Sequence, residues 1–269
     1  MVGSSSLSSP TISNRYLANM KTQQSEENLF LTWKIRVICF YVFVSLLSLF
    51  FLFPLLITTT LGLSFKMRYL VGKAYAWSFI KITKWVCGID YKVDWEIEMP
   101  KGPCVILANH QSFWDNVIMP VIFPMQSWVI KKELYKIPFF GIGLRMMEPI
   151  AVDRSDNISV SQILNMGSEK LNDGLCVVMF PEATRLKPGI RRKMKPSGAK
   201  LAQISNVPIV LMAHNAGIFW PKGFWVKKPG TVEVKVGKIL QVGPNDDVRQ
   251  VTQQIEDWIN TEKDKLSGH

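Results

Sequence analysis

The chain has 269 residues, with 32 Lys and Arg against 21 Asp and Glu, which gives a formal net charge of +11. This length is enough for one domain with a sizeable core and an appendage. The positive charge indicates an anionic partner, either nucleic acid or an anionic membrane with phosphorylated substrates. The sequence has no recognisable nucleic-acid module, and nine tryptophans with a mean hydropathy of +0.12 favour the membrane. Four widely spaced cysteines and three histidines give neither a zinc signature nor a disulfide framework.

The N-terminal part of the chain is predicted to anchor it in a membrane. Residues 1–30 are polar and read as a disordered leader. Residues 37–65 then carry no charge, and as a helix they would be about 43 Å long against a hydrocarbon core of about 30 Å. We therefore expect a tilted span or a half-immersed anchor, kinked at Pro54. Lys and Arg flank the run on both sides, with a slight bias toward a cytoplasmic C-terminal part.

Residues 69–87 have the pattern of a second, interfacial helix. Lys73, Lys81 and Lys84 fall within an arc of about 80° on a helical wheel, and we expect the aromatic residues on the opposite face. The alternative is a solvated helix packed on the globular domain. Residues 31–88 thus form an anchor region, and Gly88 ends it.

Residues 89–269 are predicted to form an α/β domain. Alternating or wholly apolar segments predict strands at 91–98, 104–108, 127–130, 149–152, 175–180, 208–212 and 231–236. Apolar residues at helical spacing predict helices at 157–172, 197–205 and 246–265. Strands that alternate with helices indicate a sheet with helices on its faces.

The first motif with chemical potential is Asn109-His110-Gln111-Ser112-Phe113-Trp114-Asp115, directly after a buried strand. Histidine accepts and releases a proton near neutral pH. Two residues five positions apart within one helix point about 140° away from each other. His110 and Asp115 meet, therefore, only if His110 precedes the helix and Asp115 lies in its first turn, with Ser112 as the cap.

The second motif, Phe180-Pro181-Glu182-Ala183-Thr184-Arg185, also follows a buried strand. The carboxyl ends of such strands are where α/β sheets place ligands. The guanidinium of Arg185 suits a phosphate or carboxylate. Five cations follow without an intervening acid, which next to a candidate site favours anion binding: Lys187, Arg191, Arg192, Lys193 and Lys195.

These motifs resemble those of the glycerolipid acyltransferase family, most closely the bacterial 1-acyl-sn-glycerol-3-phosphate acyltransferases. The resemblance covers roughly residues 70–240. Besides the two motifs above it includes Lys131-Lys132-Glu133-Leu134, Ile137 to Gly141 with Asp153-Arg154, and Val207-Pro208-Ile209-Val210. It implies a mixed central sheet flanked by helices, preceded by a pair of hydrophobic anchor helices. Ala183 stands where the family usually has Gly, at a position that suggests a left-handed backbone or close substrate approach.

The resemblance implies acylation of the sn-2 hydroxyl of lysophosphatidate by an acyl thioester, either acyl-CoA or acyl carrier protein, to give phosphatidate. His110 would act as the base, Asp115 would orient it, and backbone amides at the helix start would hold the oxyanion. The substrate-binding residues would be Lys131, Arg154, Glu182 and Arg185, with Lys132 as a weaker candidate. Glu182 would accept a glycerol hydroxyl or order its loop.

The implied setting is a bacterial inner membrane with the catalytic domain, residues 89–269, facing the cytoplasm. No metal or organic cofactor and no nucleic acid are implied. Three alternatives remain: another lysolipid acceptor, a thioester or lipid hydrolase that uses Ser112 as nucleophile, and a non-enzymatic membrane adaptor. His214 also follows a strand but has no carboxylate near it in sequence, which favours a structural role.

Overall fold

A computed structural model describes the backbone of residues 10–152 and 158–268 and the side chains of residues 32–152 and 160–268. Two helices precede the sheet, α1 (Pro10–Thr60) and α2 (Phe65–Cys87). Helix α1 begins within the stretch predicted as a disordered leader, whose first nine residues lie outside the described part. It runs through Pro54 without a break. The division into leader, anchor and globular domain stays a prediction.

The apolar part of α1 is the one segment, among the described residues, that is long and apolar enough to cross a membrane, and it covers Thr32–Thr60. One side of this part packs on the protein, where Val37, Phe40 and Leu55 are buried. The other side exposes large side chains, with Phe50 71% and Phe53 69% accessible. Such a row of bare aromatic residues in water is unfavourable, so the helix needs an apolar environment on this side.

Helix α2 packs against α1 and α3. Its inner face buries Phe79 and Ile80, and its end is capped by Gly88 in the left-handed conformation (φ 70°), as predicted. The exposed face differs from the predicted arrangement of lysines opposite aromatic residues. Trp77 lies on the same exposed side as Lys81, whose Nζ is 3.5 Å from the Trp77 ring centroid. The prediction was wrong for Trp77, because at 100° per residue its position falls inside the arc of the lysines, four residues before Lys81.

The domain is built on a mixed sheet of seven described strands in the order β1-β7-β6-β2-β5-β3-β4. Adjacent strands are parallel except β6 and β7, which are antiparallel. The strands are β1 (Ile89–Trp95), β2 (Val105–Ala108), β3 (Gln126–Lys131), β4 (Ile150–Val152), β5 (Cys176–Met179), β6 (Ile209–His214) and β7 (Gly230–Leu240). The helices are α3 (Trp114–Ile122), α4 (Phe140–Met146), α5 (Ile158–Asn172), α6 (Ser197–Ser205), α7 (Ala216–Phe219) and α8 (Val248–Ser267), with a 3-10 helix at Lys132–Lys136. The predicted fold class is confirmed.

Both faces of the sheet are covered, which is why its central strands are apolar throughout. Ile106 and Val178 face the core shared with α1, α2 and α3. Val105 and Val177 face the core shared with α5, α6 and α8. The strands β3, β5, β2 and β6 run parallel to one another, so their carboxyl ends meet at one edge of the sheet.

Candidate active site

The turn between β2 and α3 places His110 against Asp115. His110 Nδ1 lies 3.0 Å from Asp115 Oδ2. The helix begins at Trp114, so His110 precedes it and Asp115 lies in its first turn, as the spacing predicts. Asp115 is fully buried, whereas the side chain of His110 is 14% exposed. With Nδ1–H donated to the carboxylate, Nε2 is left as the nitrogen that accepts a proton.

Asp115 is held as a carboxylate despite its burial. Burial alone would raise the pKa of Asp115, but the contacts with His214 and His110 and the N–H of Ser112 outweigh it, and the pKa lies below its ordinary value. Oδ2 also accepts the backbone N–H groups of Gln111 (2.7 Å) and Ser112 (2.8 Å). Multiple N–H donors stabilise the ionised form of a carboxyl group. The charge that orients His110 is therefore present at neutral pH.

Ser112 serves the turn rather than the cavity. Its Oγ accepts the N–H of Trp114 (3.1 Å), and its own N–H is donated to Asp115, so the two residues cap α3 reciprocally. The side chain is fully buried, which disfavours Ser112 as a nucleophile. The amides of Gln111, Ser112 and Trp114 are all engaged within the turn. They do not provide the oxyanion donors expected at the helix start.

The turn after β5 is bound directly to the histidine turn. Glu182 Oε2 accepts the backbone N–H of His110 at 2.7 Å, and the N–H of Leu186 is donated to the His110 carbonyl at 2.8 Å. The ring of Phe180 stacks on the imidazole, with centroids 4.3 Å apart. Two segments more than 70 residues apart thus fix both the backbone and the ring of His110.

Ala183 in the same turn adopts the left-handed conformation, with φ at 58°. This conformation costs an L-residue about 1–2 kcal/mol and costs glycine almost nothing. The left-handed backbone suggested by the resemblance is therefore present, and the chain tolerates it with alanine.

A cavity of about 520 Å³ opens beside His110. Its apolar wall comes from the N-terminal helices and α4, including Phe51, Leu55, Val71 and Leu144. His110 and the cations Lys131, Arg185 and Lys222 also line the cavity, together with neutral polar residues such as Asn116 and Thr184. A cavity that combines a long apolar wall with a base and three cations suits a molecule with an alkyl tail and an anionic head.

The predicted binding residues divide into three groups. Arg185 and Lys131 line the cavity, although Lys131 is half exposed and also pairs with Glu133 at 3.0 Å. Glu182 and Lys132 are absent from its lining, and Glu182 is 1% exposed, with one oxygen on the backbone of His110. Arg154 lies outside the described residues.

Lys222 was not singled out as a site residue from the sequence. It lies in a loop of aromatic and cationic residues, a composition that indicates membrane contact. Only the fold brings this loop, which follows α7, to the cavity. No signal in the sequence around Lys222 distinguishes it from Lys227 or Lys228 of the same loop.

The contacts of His214 are structural, although its ring lies close to the His110–Asp115 pair. Its Nδ1 accepts the N–H of Ala216 at 3.3 Å, and its Nε2–H is donated to the Asn109 carbonyl at 2.9 Å. Burial lowers the pKa of His214, so the ring is neutral near pH 7. Asp115 Oδ1 is 3.6 Å from Nε2. The ring stabilises the turn after β2 through its hydrogen bond to Asn109, and it does not line the cavity.

Comparisons with known proteins identify the family of this chain. An acyltransferase family model matches residues 91–215. The chain is 35% identical over 244 residues to a 1-acyl-sn-glycerol-3-phosphate acyltransferase of Pseudomonas aeruginosa, covering 87% of this chain and 92% of that one. The chain belongs to the acyltransferase family. The 1-acyl-sn-glycerol-3-phosphate acyltransferase of Saccharomyces cerevisiae is 30% identical over 63% of this acyltransferase and 59% of its own length.

A solved structure shares the fold of this acyltransferase. The crystal structure of the 1-acyl-sn-glycerophosphate acyltransferase of Thermotoga maritima superposes with a TM-score of 0.69 and covers 88% of this chain and 99% of its own. Its sequence identity is 21%, so the likeness concerns the fold. In the described part of the chain, no three His, Cys, Asp or Glu side chains are grouped to hold a metal ion. The expected absence of a cofactor stays a prediction.

Proposed function

We propose that this protein is a 1-acylglycerol-3-phosphate O-acyltransferase, which moves a fatty acyl group from a thioester to the sn-2 hydroxyl of lysophosphatidate and forms phosphatidate. The observation that carries the proposal is His110, paired with Asp115, in the lining of a largely apolar cavity that also contains the cations Lys131, Arg185 and Lys222. Relatives named for this reaction support the choice of acceptor.

In the proposed reaction His110 Nε2 accepts the proton of the glycerol hydroxyl as its oxygen attacks the thioester carbonyl. The ester C–O bond forms, the C–S bond breaks, and the thiolate leaves with the proton that His110 returns. Asp115 stabilises the imidazolium between these two steps, and it is already ionised and fixed by backbone N–H groups.

The binding of the two substrates follows from the walls of the cavity. The acceptor phosphate is placed at Arg185, with Lys131 and Lys222 nearby, because these cations line the cavity that also holds the base. The acyl chain is placed along the apolar wall formed by α1, α2 and α4. Arg154 stays a candidate for the phosphate from the sequence alone.

We also propose that the protein is held in a bacterial inner membrane, with the catalytic domain on the cytoplasmic side. The exposed aromatic side chains of α1 and the length of Thr32–Thr60 support membrane association. The excess of Lys and Arg after the apolar run supports the orientation. Acyl-CoA and acyl carrier protein are both compatible donors.

The test is acyl transfer by the purified protein, with a panel of lysolipids and both donor types. Lysophosphatidate should be the best acceptor, and His110→Ala should abolish transfer while the protein stays membrane-bound. Arg185→Ala should raise KM for lysophosphatidate about tenfold or more. The same substitution should change KM for an uncharged monoacylglycerol little. Lys200→Ala serves as the control, because Lys200 is an exposed cation on α6. Preference for another lysolipid, or turnover by His110→Ala, would refute the assignment.

A further inference from the structure

Lys263 is a buried cation near the site that none of the recognised motifs includes. It lies on α8, well beyond the residues 91–215 matched by the family model. Its side chain is 1% exposed, and Nζ donates to Asn260 Oδ1 at 2.9 Å and to the Ile190 carbonyl at 3.1 Å. A buried ammonium is costly unless an anion accompanies it. The carboxylate beside Lys263 is that of Glu182, with Oε1 3.8 Å from Nζ.

Glu182 is a buried carboxyl group with one oxygen that lacks a hydrogen-bond donor in the described part of the chain. Its side chain is also 1% exposed, and Oε1 has no hydrogen-bond partner among the described residues. Oε2 is engaged with the backbone N–H of His110. A continuous set of contacts therefore runs from Lys263 through Glu182 to the backbone of the proposed base.

We propose that Lys263 is a positioning residue for acyl transfer, which keeps Glu182 in the carboxylate form that holds the His110 backbone in place. This inference rests on the proposed function. Lys263 is absent from the lining of the cavity and acts through Glu182. A carboxylate is a stronger acceptor than a protonated carboxyl group, so loss of the charge loosens the turn that carries the base.

The charges around Glu182 are finely balanced. Burial raises the pKa of Glu182, the His110 N–H and Lys263 lower it, and Asp115 raises it, which leaves a pKa of about 7. The titratable groups around it are Lys263 from α8, His110 and Asp115 from the turn after β2, and, behind Asp115, the buried neutral His214 at the end of β6. Removing the charge of Lys263 shifts the balance further toward the protonated acid.

The test replaces Lys263 with Gln, which keeps a hydrogen-bond donor and removes the charge. At pH 7 kcat should fall about fivefold, with KM nearly unchanged, because a rise of about one unit in the pKa of Glu182 lowers its ionised fraction from about one half to about one tenth. Activity should recover as the pH rises, because a carboxyl group with a raised pKa ionises only at higher pH. The midpoint of the kcat profile should move up by about one pH unit. Lys265→Gln on the same helix is the matched control, since that side chain is 64% exposed, and its profile should overlay the wild type.

A double-substitution cycle separates positioning from general damage. In a Glu182→Gln background no carboxyl group is left to titrate, so Lys263→Gln should no longer move the profile. A wild-type profile for Lys263→Gln, or a shift that persists in the Glu182→Gln background, overturns the proposal.

A readout without turnover keeps this test independent of the reaction. In detergent, the stability advantage of the wild type over Lys263→Gln should grow as pH rises above about 7, where only the variant still binds the proton on Glu182. The same comparison in the Glu182→Gln background should be flat. If the wild type acylates no lysolipid, the proposed function fails, and these unfolding curves alone confirm or overturn the role of Lys263.

Discussion

Replacement of Asp115 by Asn removes the charge beside the base while leaving an oxygen for its contacts. In the protein a single oxygen, Oδ2, accepts from His110 Nδ1 and from two backbone N–H groups. An Asn oxygen in that place still accepts all three, so the ring keeps its orientation and tautomer. The imidazolium formed during transfer, however, loses its counter-charge. For charges about 4 Å apart at an effective dielectric constant of about 20, this amounts to about 4 kcal/mol.

A loss of about 4 kcal/mol from the transition state corresponds to a fall in kcat of about a thousandfold. The assay is steady-state acyl transfer to lysophosphatidate, with thermal unfolding to show that the variant is folded. KM should change little, because Asp115 is buried and does not line the cavity. Asp94→Asn, an exposed acid on β1, is the control. A folded Asp115→Asn protein with kcat within tenfold of the wild type would refute this account of the charge.

Three further substitutions test other parts of the structure. Ser112→Ala removes the acceptor for the Trp114 N–H, so unfolding free energy should fall by about 1 kcal/mol while activity stays within tenfold; a trappable acyl-serine would contradict this. Ala183→Gly removes the strain of a left-handed alanine but raises the entropy of the unfolded chain. Chemical denaturation should therefore show a rise in unfolding free energy of less than about 1 kcal/mol. A marked fall in unfolding free energy would contradict the strain at Ala183. Burial lowers the pKa of Lys227 to about 8. The stability of the wild type relative to Lys227→Met should thus rise from pH 8 toward 10, where only the unfolded chain still binds the proton, and a flat difference would contradict the lowered pKa.

Local sequence patterns were sufficient to predict the strands of the sheet and the turn that pairs His110 with Asp115. Short apolar runs bounded by turns predict the buried strands, and β2 and β5 match their predicted ranges closely. The pairing of His110 with Asp115 follows from helix geometry, because Asp115 lies in the first turn of α3 and His110 lies in the turn just before it. The relative direction of two side chains a few residues apart depends on the rotation per residue of the helix, so it can be worked out from their spacing in the sequence.

Contacts between distant segments were beyond these patterns. Glu182 has the same local setting whether it faces a substrate or the backbone of His110, and only the packing of β5 beside β2 decides. Lys263 belongs to an amphipathic helix where a lysine is normally solvated, yet it is buried. Helix α4 has few residues and begins after Phe139, whose positive φ of 59° no pattern in the sequence indicates.

Helix α1, the proposed membrane anchor, also forms part of the wall of the proposed substrate cavity. Phe51, Leu52 and Leu55 line the same space as His110. Removing the helix to obtain a water-soluble enzyme would open this space to solvent, even though His110 and Asp115 lie elsewhere in the chain. The tail of an alkyl-chain detergent resembles the acyl chain that this space is proposed to hold, so the detergent will compete with the substrate and change the kinetic constants. Kinetic constants measured in lipid vesicles will therefore be closer to those in a membrane.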